Sequence, residues 1–166
     1  MSDSVDEIVA RITEERPIVL IDGRSGAGKT QLATAIARRL FAEVVRLDSI
    51  YPGWDGLEAA SAQVRGIIET GTWQRFNWRT NELAEWHALG TDWPLIIEGS
   101  GSLTRANREV ATLGIWVELD EPTRRARALE RDGETYAPHW DRWAAQEQAF
   151  FERERPDLVA DVVVAG

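Results

Sequence analysis

Residues 18–30 read IVLIDGRSGAGKT, a short apolar run followed by a glycine-rich segment. A continuous apolar run of this length is typical of a strand that is covered on both faces of a parallel sheet. Apolar residues then recur at every fourth position, at Leu32, Ile36 and Leu40, which predicts an amphipathic helix over about 29–41. The order of strand, glycine-rich loop and helix predicts an α/β fold built around this loop.

The glycine-rich segment matches the pattern G-x-x-x-x-G-K-S/T at every fixed position. Glycines let backbone N–H groups curl around a phosphate without a Cβ in the way, and the N-terminus of the next helix adds partial positive charge. The lysine is expected to reach the β- and γ-phosphates, and the threonine hydroxyl to ligate Mg²⁺. The sequence therefore predicts a nucleotide-phosphate site formed by Gly23, Ser25, Gly26, Ala27, Gly28, Lys29 and Thr30.

Lys29 is the single lysine of the chain, so the other 18 of the 19 basic residues are arginine. A GC-rich codon bias accounts for the arginines but not for the exception. A compact ammonium differs chemically from a planar guanidinium, which indicates that position 29 requires the ammonium.

Composition excludes several classes of function. The chain has 166 residues, which suits one domain, and no cysteine, which excludes disulfides, thiolate catalysis and cysteine-ligated metals. A net charge of −9 argues against a nucleic-acid binder and against docking on anionic lipid. No apolar run approaches the length of a membrane span, and the acidic N-terminus lacks a signal-peptide pattern, so we expect a cytoplasmic protein.

The rest of the chain alternates between apolar runs of strand length and amphipathic helical stretches. This alternation predicts a doubly wound parallel sheet with helices on both faces. Further strands are expected at 43–47, 94–97, 113–119 and 159–164. Further helices are expected at 57–69, 82–89, 122–131 and 139–153.

Two acids, Asp48 and Glu98, follow predicted strands, at the sheet edge where doubly wound folds bind their ligands. A carboxylate at position 48 can orient a hydroxyl and accept its proton, and one at position 98 can hold Mg²⁺ through water. For both, an ordinary strand-end or capping acid is the alternative. Asp22, directly before the loop, is interpreted as structural.

The loop, Asp48 before an aromatic residue, the strand end Ile96–Gly99 and the run Thr123–Asp132 together resemble the uridine kinase-like branch of P-loop nucleoside and nucleotide kinases. The resemblance implies one kinase domain over 1–166, with a five-stranded parallel sheet in the order 2-3-1-4-5. It also implies a lid at about 124–142 and transfer of the ATP γ-phosphoryl group. It implies further that Asp48 contacts the acceptor hydroxyl and that Glu98 lies near magnesium.

Arg124, Arg127 and Arg131 share one face of a predicted helix. A planar guanidinium can bridge two oxygens of a phosphoryl group in its transition state. Because the resemblance places this region at the start of the lid, Arg127 and Arg131 are the catalytic candidates and Arg124 a cofactor-binding candidate. A solvated helix face is the alternative.

Residues 49–93 form the expected acceptor-binding insert, in which Tyr51, Trp54 and Trp78 could stack on a base or sugar. The alternative is that these aromatic residues pack a small subdomain, which we favour for Trp73 and Trp86. Where the family carries an aromatic-Asp-aromatic triplet, this chain reads FNW at 76–78, which leaves the acceptor open.

The sequence therefore predicts a kinase whose partners are ATP, Mg²⁺ and a small-molecule acceptor, with a nucleoside as the first expectation. A nucleotide, a sugar acid or another alcohol stays open as the acceptor. The rivals are a P-loop ATPase or regulatory nucleotide-binding protein without such an acceptor, and a kinase-like binder that has lost turnover. The sequence gives no indication of the oligomeric state.

Overall fold

Five parallel strands form the central sheet of the computed structural model, which describes residues 2–90 and 92–166. From one edge to the other, the sheet contains β2 (Glu43–Arg46), β5 (Leu95–Glu98), β1 (Ile18–Gly23), β6 (Leu113–Glu118) and β7 (Val162–Ala165), and every neighbouring pair is parallel. Counted along the chain, this is the expected order 2-3-1-4-5, so the predicted doubly wound fold is confirmed.

Seven helices lie along the described chain, and they pack on both faces of the sheet. Side chains alternate along β1, so Leu20 joins one core with Val64 and Phe150, whereas Ile21 joins the other with Ile8 and Ile36. The helices are α1 (Ser2–Ala10), α2 (Lys29–Leu40), α3 (Leu57–Thr70), α4 (Arg105–Glu109), α5 (Glu121–Asp132), α6 (Trp140–Glu154) and α7 (Pro156–Val159).

Helix α5 begins where its sequence predicts. The Asp120 side chain accepts a hydrogen bond from the backbone N–H of Thr123, and a proline lies in the first turn. Two short 3₁₀ turns, Gly133–Thr135 and Ala137–His139, then connect α5 to α6. The segment expected to form the lid therefore consists of most of α5, these turns and the start of α6.

The prediction of a helix at 82–89 is wrong. Residues Glu82–Ala88 form β4, which pairs antiparallel with β3 (Thr72–Asn77) in a separate two-stranded hairpin. The Trp73 ring stacks on His87 across the hairpin at 4.3 Å between centroids, a cross-strand contact that local helix propensity cannot outweigh. The expectation that Trp86 packs a small subdomain is also wrong, because its side chain is 66% exposed.

The last strand is shorter than predicted. Residues Pro156–Val159 form the short helix α7, so β7 begins at Val162 rather than at position 159. Across residues 2–90 and 92–166, no helix combines the length and the apolar character needed to cross a membrane.

Candidate active site

The phosphate loop follows β1 and is shaped by two glycines with positive φ. Gly26 has φ 83° and Gly28 has φ 106°, a region that only glycine adopts without strain. A Cβ on Gly26 would lie 2.2 Å from the backbone oxygen of Arg124, so the loop packs directly against α5. A Cβ on Gly28 would meet nothing within 4 Å, because this side of the loop is open.

Gly28 also caps α2, and it provides no side-chain acceptor for the first N–H groups of that helix. The first turn of α2 contains no acidic residue either. The N–H groups and the positive end of the helix dipole therefore remain available to an anion.

Lys29 and Thr30 begin α2 and point to the same end of the sheet. The Lys29 Nζ donates to the backbone oxygen of Arg24 at 3.1 Å, which keeps the ammonium on the loop. The Thr30 hydroxyl donates to Oε1 of Glu98 at 3.0 Å. The parallel pairing of β5 with β1, which sets Glu98 beside Ile21, brings this carboxylate to the loop.

Glu98 is 2% exposed, and burial raises the pKa of its carboxyl group above the usual range, against the lowering effect of the Lys29 charge. With the Thr30 hydroxyl it supplies hard oxygen donors, which suit Mg²⁺. Within the described residues, no group of three or more His, Cys, Asp or Glu side chains could hold a metal ion. Mg²⁺ usually binds through one or two carboxylates together with waters and substrate phosphates, so this sparse donor set fits it.

One cavity of about 760 Å³ lies at the carboxyl ends of the strands, where doubly wound folds bind ligands. It unites most of the residues that the sequence singled out. Those that line it are Ser25, Gly26, Gly28, Lys29, Thr30, Asp48, Tyr51, Trp54, Trp78, Glu98, Arg127 and Arg131.

Aromatic rings form the half of the cavity contributed by the segment after β2. The rings of Trp54 and Trp78 meet edge to face at 5.0 Å, and Trp143 from α6 lies 4.7 Å from Tyr51 in the same manner. The Trp78 Nε1 donates to the backbone oxygen of Asp48 at 2.8 Å. This bond ties the turn after β3 to the 3₁₀ turn that carries Asp48, so the hairpin helps to form the cavity wall.

Arg124 does not line the cavity, although it shares a helix face with Arg127 and Arg131. Its guanidinium is buried and donates to the backbone oxygens of Leu119, at 2.9 Å, and Ser25, at 3.4 Å. It therefore supports the phosphate loop from behind, while the other two arginines are exposed and reach the cavity.

Two further loop residues, Gly23 and Ala27, likewise do not line the cavity. Ala27 is fully buried. Gly23 packs against β6, since a Cβ there would lie 2.7 Å from the backbone oxygen of Val117.

Asp22 takes the structural role predicted for it. Its buried carboxyl group accepts hydrogen bonds from the backbone N–H groups of Gly23 at 2.7 Å, Leu103 at 2.9 Å and Gly101 at 3.2 Å. It thus joins the start of the phosphate loop to the segment after β5. Burial raises the pKa of Asp22 to about 7, although these hydrogen bonds and the Lys29 charge favour the ionised form.

Asn77, the departure from the family triplet, is the last residue of β3, directly before the hairpin turn, and is not among the cavity-lining residues. Its side-chain oxygen accepts from the backbone N–H groups of Arg79 at 3.0 Å and Thr80 at 3.2 Å. An aspartate oxygen could accept the same two bonds, so the exchange alters the turn chemistry little.

Sequence reasoning missed three residues of the C-terminal half that belong to this site. Tyr136 and Trp143 line the cavity. Glu147 is 4% exposed and contacts the phosphate loop. A signal for Glu147 existed, because it is an acid on the face of α6 that otherwise buries Trp140, Trp143 and Phe150.

Three solved structures show the breadth of the likeness. A possible uridine kinase from Bacillus stearothermophilus has a TM-score of 0.67 and 18% identity over 98% of this chain and 98% of that chain. Shikimate kinase from Acinetobacter baumannii in complex with shikimate has a TM-score of 0.55 and 16% identity, over 91% and 84%. A gluconokinase from Sinorhizobium meliloti 1021 has a TM-score of 0.51 and 17% identity, over 92% and 83%.

No protein-family model and no curated protein matches the chain. At these identities the likeness to solved structures shows the fold alone, and the predicted P-loop kinase fold, with its likeness to the uridine kinase branch, is confirmed.

Proposed function

We propose that the protein is an ATP-dependent kinase that transfers the γ-phosphoryl group to a hydroxyl of a small acceptor, with a nucleoside as that acceptor. The observation that carries the proposal is a single cavity that joins a complete phosphate loop to a carboxylate and an aromatic wall. A nucleotide-binding switch needs the loop but has no use for an aromatic acceptor half. The neighbouring structures described as kinases support the same class of reaction.

The donor half would be organised by the loop. The N–H groups of the loop and of the first turn of α2 would hold the β- and γ-phosphates, with the Lys29 ammonium leaving the Arg24 carbonyl to bind them. Thr30 and Glu98 would hold Mg²⁺. The ion, when bound, supplies positive charge that neutralises the phosphate oxygens.

The acceptor half would be organised around Asp48. Its exposed carboxylate lines the cavity beside the aromatic rings and would orient the acceptor hydroxyl and take its proton. Arg127 and Arg131 line the cavity from α5 and would bind the phosphoryl oxygens as negative charge shifts between donor and acceptor.

The chemistry of the acceptor half favours an uncharged ring over a sugar acid or a nucleotide. The cavity-lining residues from 48–78 are an acid and three aromatic residues, and none of them is basic. The basic residues of the cavity come from the phosphate loop helix and α5, which the donor would occupy. A carboxylate or phosphate on the acceptor would be repelled by Asp48 and would compete with the donor phosphates for Arg127 and Arg131, whereas a nucleobase can stack on Trp54 or Trp78.

The test is a screen of ADP release with ATP and Mg²⁺ in the presence of single nucleosides, nucleoside monophosphates, shikimate and gluconate. We expect at least one nucleoside to raise the rate well above the acceptor-free rate, and the two carboxylates, shikimate and gluconate, to leave it unchanged. The Lys29→Ala variant is the control for contaminating activity. Stimulation only by shikimate or gluconate would contradict the assigned acceptor class, and stimulation by none of the compounds would favour the ATPase alternative.

A further inference from the structure

Glu147 is a buried carboxylate that contacts the phosphate loop from α6. Its Oε2 accepts a hydrogen bond from the backbone N–H of Ser25 at 2.7 Å and from the hydroxyl of Ser100 at 2.7 Å. Among the residues that the structure describes, no basic side chain forms an ion pair with it. Burying a carboxylate is costly unless hydrogen bonds compensate, and both of its donors belong to segments that line the cavity.

The position of Glu147 distinguishes its contact with Ser25 from a phosphate contact. Ser25 lines the cavity but Glu147 does not, so the carboxylate reaches the loop from α6, outside the cavity. The carboxylate therefore does not compete with a phosphate for the open side of the loop at Gly28. A second contact lies one turn further along α6, where the Arg24 guanidinium stacks over the Phe151 ring at 4.8 Å. Two successive turns of α6 thus hold the first half of the loop.

The same helix also holds the acceptor half of the cavity. Gln146 Nε2 donates to the backbone oxygen of Trp54 at 2.6 Å, and its Oε1 accepts from the backbone N–H of Leu57 at 3.3 Å. Trp143 packs on Tyr51. The face of α6 that carries Trp143, Gln146 and Glu147 therefore joins the segment after β2 to the phosphate loop.

We propose that Glu147 is a positioning residue, which fixes the Ser25 amide and with it the phosphate loop against α6 and the acceptor half of the cavity. The inference rests on the proposed function in so far as the loop binds the phosphates of ATP. Without the Glu147 carboxylate, the Ser25 N–H has no hydrogen-bond partner, and the first half of the loop is no longer held against α6 at this position. The loop then has to be ordered by the nucleotide itself, which weakens nucleotide binding.

The test measures two quantities: ATP affinity, by titration in the absence of a phosphoryl acceptor, and the melting temperature. Both are measured for Glu147→Ala, Glu147→Gln and the control Glu152→Gln. Glu152 lies on the same helix but is exposed. We expect Glu147→Ala to weaken ATP binding by about tenfold or more, the scale of a lost hydrogen bond to a charged group. Glu147→Gln should stay within about threefold, because its amide oxygen still accepts from Ser25. Glu152→Gln should match the parent protein.

Several results would overturn the inference. Parental ATP affinity in Glu147→Ala, with or without a lower melting temperature, would assign the residue to the fold alone. Equal losses in the Ala and Gln variants would exclude positioning through hydrogen-bond acceptance. If Glu147→Ala does not fold, Glu147→Leu, which fills the space but accepts no hydrogen bond, takes its place. A parent protein that binds no ATP would contradict the proposed function as well, whereas a parent that binds ATP as tightly as Glu147→Ala contradicts this inference only.

Discussion

The carboxylate of Asp48 is exposed to the cavity, and the indole N–H of Trp78 holds the backbone carbonyl of the same residue. The side chain is therefore free to meet a hydroxyl while its backbone is held. Asp48→Asn should retain ATP affinity, because the phosphate loop is untouched. Acceptor-dependent turnover should fall by about 10²–10⁴-fold, the usual contribution of a general base.

Two assays check the role of Asp48: ATP titration and acceptor-stimulated ADP release. Glu69→Gln, which alters an exposed acid on α3, is the matched control and should change neither quantity. A collapse of ATP affinity together with turnover would show that Asp48 serves the metal or the fold instead.

Asp22, at the start of the phosphate loop, should make the stability of the folded protein depend on pH. Its carboxyl group has a pKa of about 7 in the folded chain against 3.8 when unperturbed, so between these values the folded state binds more protons. Stability should therefore fall as pH rises from about 4 to about 7, by at most about 1.4 kcal/mol per pH unit, and level off above.

The contribution of Asp22 can be isolated by chemical denaturation of the parent protein and of Asp22→Asn at several pH values. As pH rises to about 7, the unfolding free energy of the parent should decrease relative to that of Asp22→Asn. Asp141→Asn, at an exposed position on α6, should run parallel to the parent. A parent that gains stability over Asp22→Asn across this range would contradict the assigned protonation.

At the level of elements, β1 and β5 could be predicted because each contains a continuous apolar run that is buried on both faces of the sheet. The hairpin could not, because Leu83, Trp86 and Leu89 recur at a spacing of three and resemble a helix face. What makes this segment a strand is pairing with β3, as at Trp73 and His87, which no local pattern reveals.

The same limit applies to side chains on helices. Helical spacing in the sequence predicts that Arg124, Arg127 and Arg131 share one face of α5. It does not reveal that Arg124 is buried against the phosphate loop. Likewise, an acid on the apolar face of α6 gives no indication of its partner. The bond between Glu147 and Ser25 joins residues 122 positions apart and depends on how α6 packs.

The hairpin allows a matched test of its contribution to the acceptor half. Trp78→Phe removes the indole N–H that holds the Asp48 carbonyl, whereas Trp86→Phe changes a 66% exposed ring on the same hairpin. We expect the first variant to raise the KM for the acceptor several-fold with unchanged ATP affinity, and the second to resemble the parent. Equal effects of the two variants in steady-state kinetics would argue that the hairpin contributes only to folding.

The proposed lid, at about 124–142, predicts a change in backbone protection. Arg127, Arg131 and Tyr136 line the cavity from this segment, so bound nucleotide should hold it in place and exclude water. Hydrogen exchange with a non-hydrolysable ATP analogue should slow here, while β1, already in the centre of the sheet, changes little. If exchange over 124–142 is unchanged by the analogue, this segment is not a lid, and Arg127 and Arg131 are ordinary surface residues.

At the scale of the whole molecule, the parallel sheet places the phosphate loop and the cavity together at the carboxyl ends of its strands. The neighbouring solved structures share the fold but are described as kinases of different kinds, so the fold does not identify an acceptor. The acceptor has to be inferred from the side chains around Asp48. The sequence identified these residues one by one, but only the structure shows that they form one wall of the cavity.

The central claim is that the γ-phosphoryl group leaves ATP for an organic hydroxyl and not for water. The direct measurement follows the label of γ-³²P-ATP in the presence of Mg²⁺ and a nucleoside, with the parent protein and with Lys29→Ala, the variant of its single lysine. We predict that the parent places the label on the nucleoside and that Lys29→Ala, folded but lacking the ammonium, loses at least about 100-fold in rate. Label found only in inorganic phosphate, at a rate independent of the nucleoside, would contradict the claim and identify the protein as an ATPase.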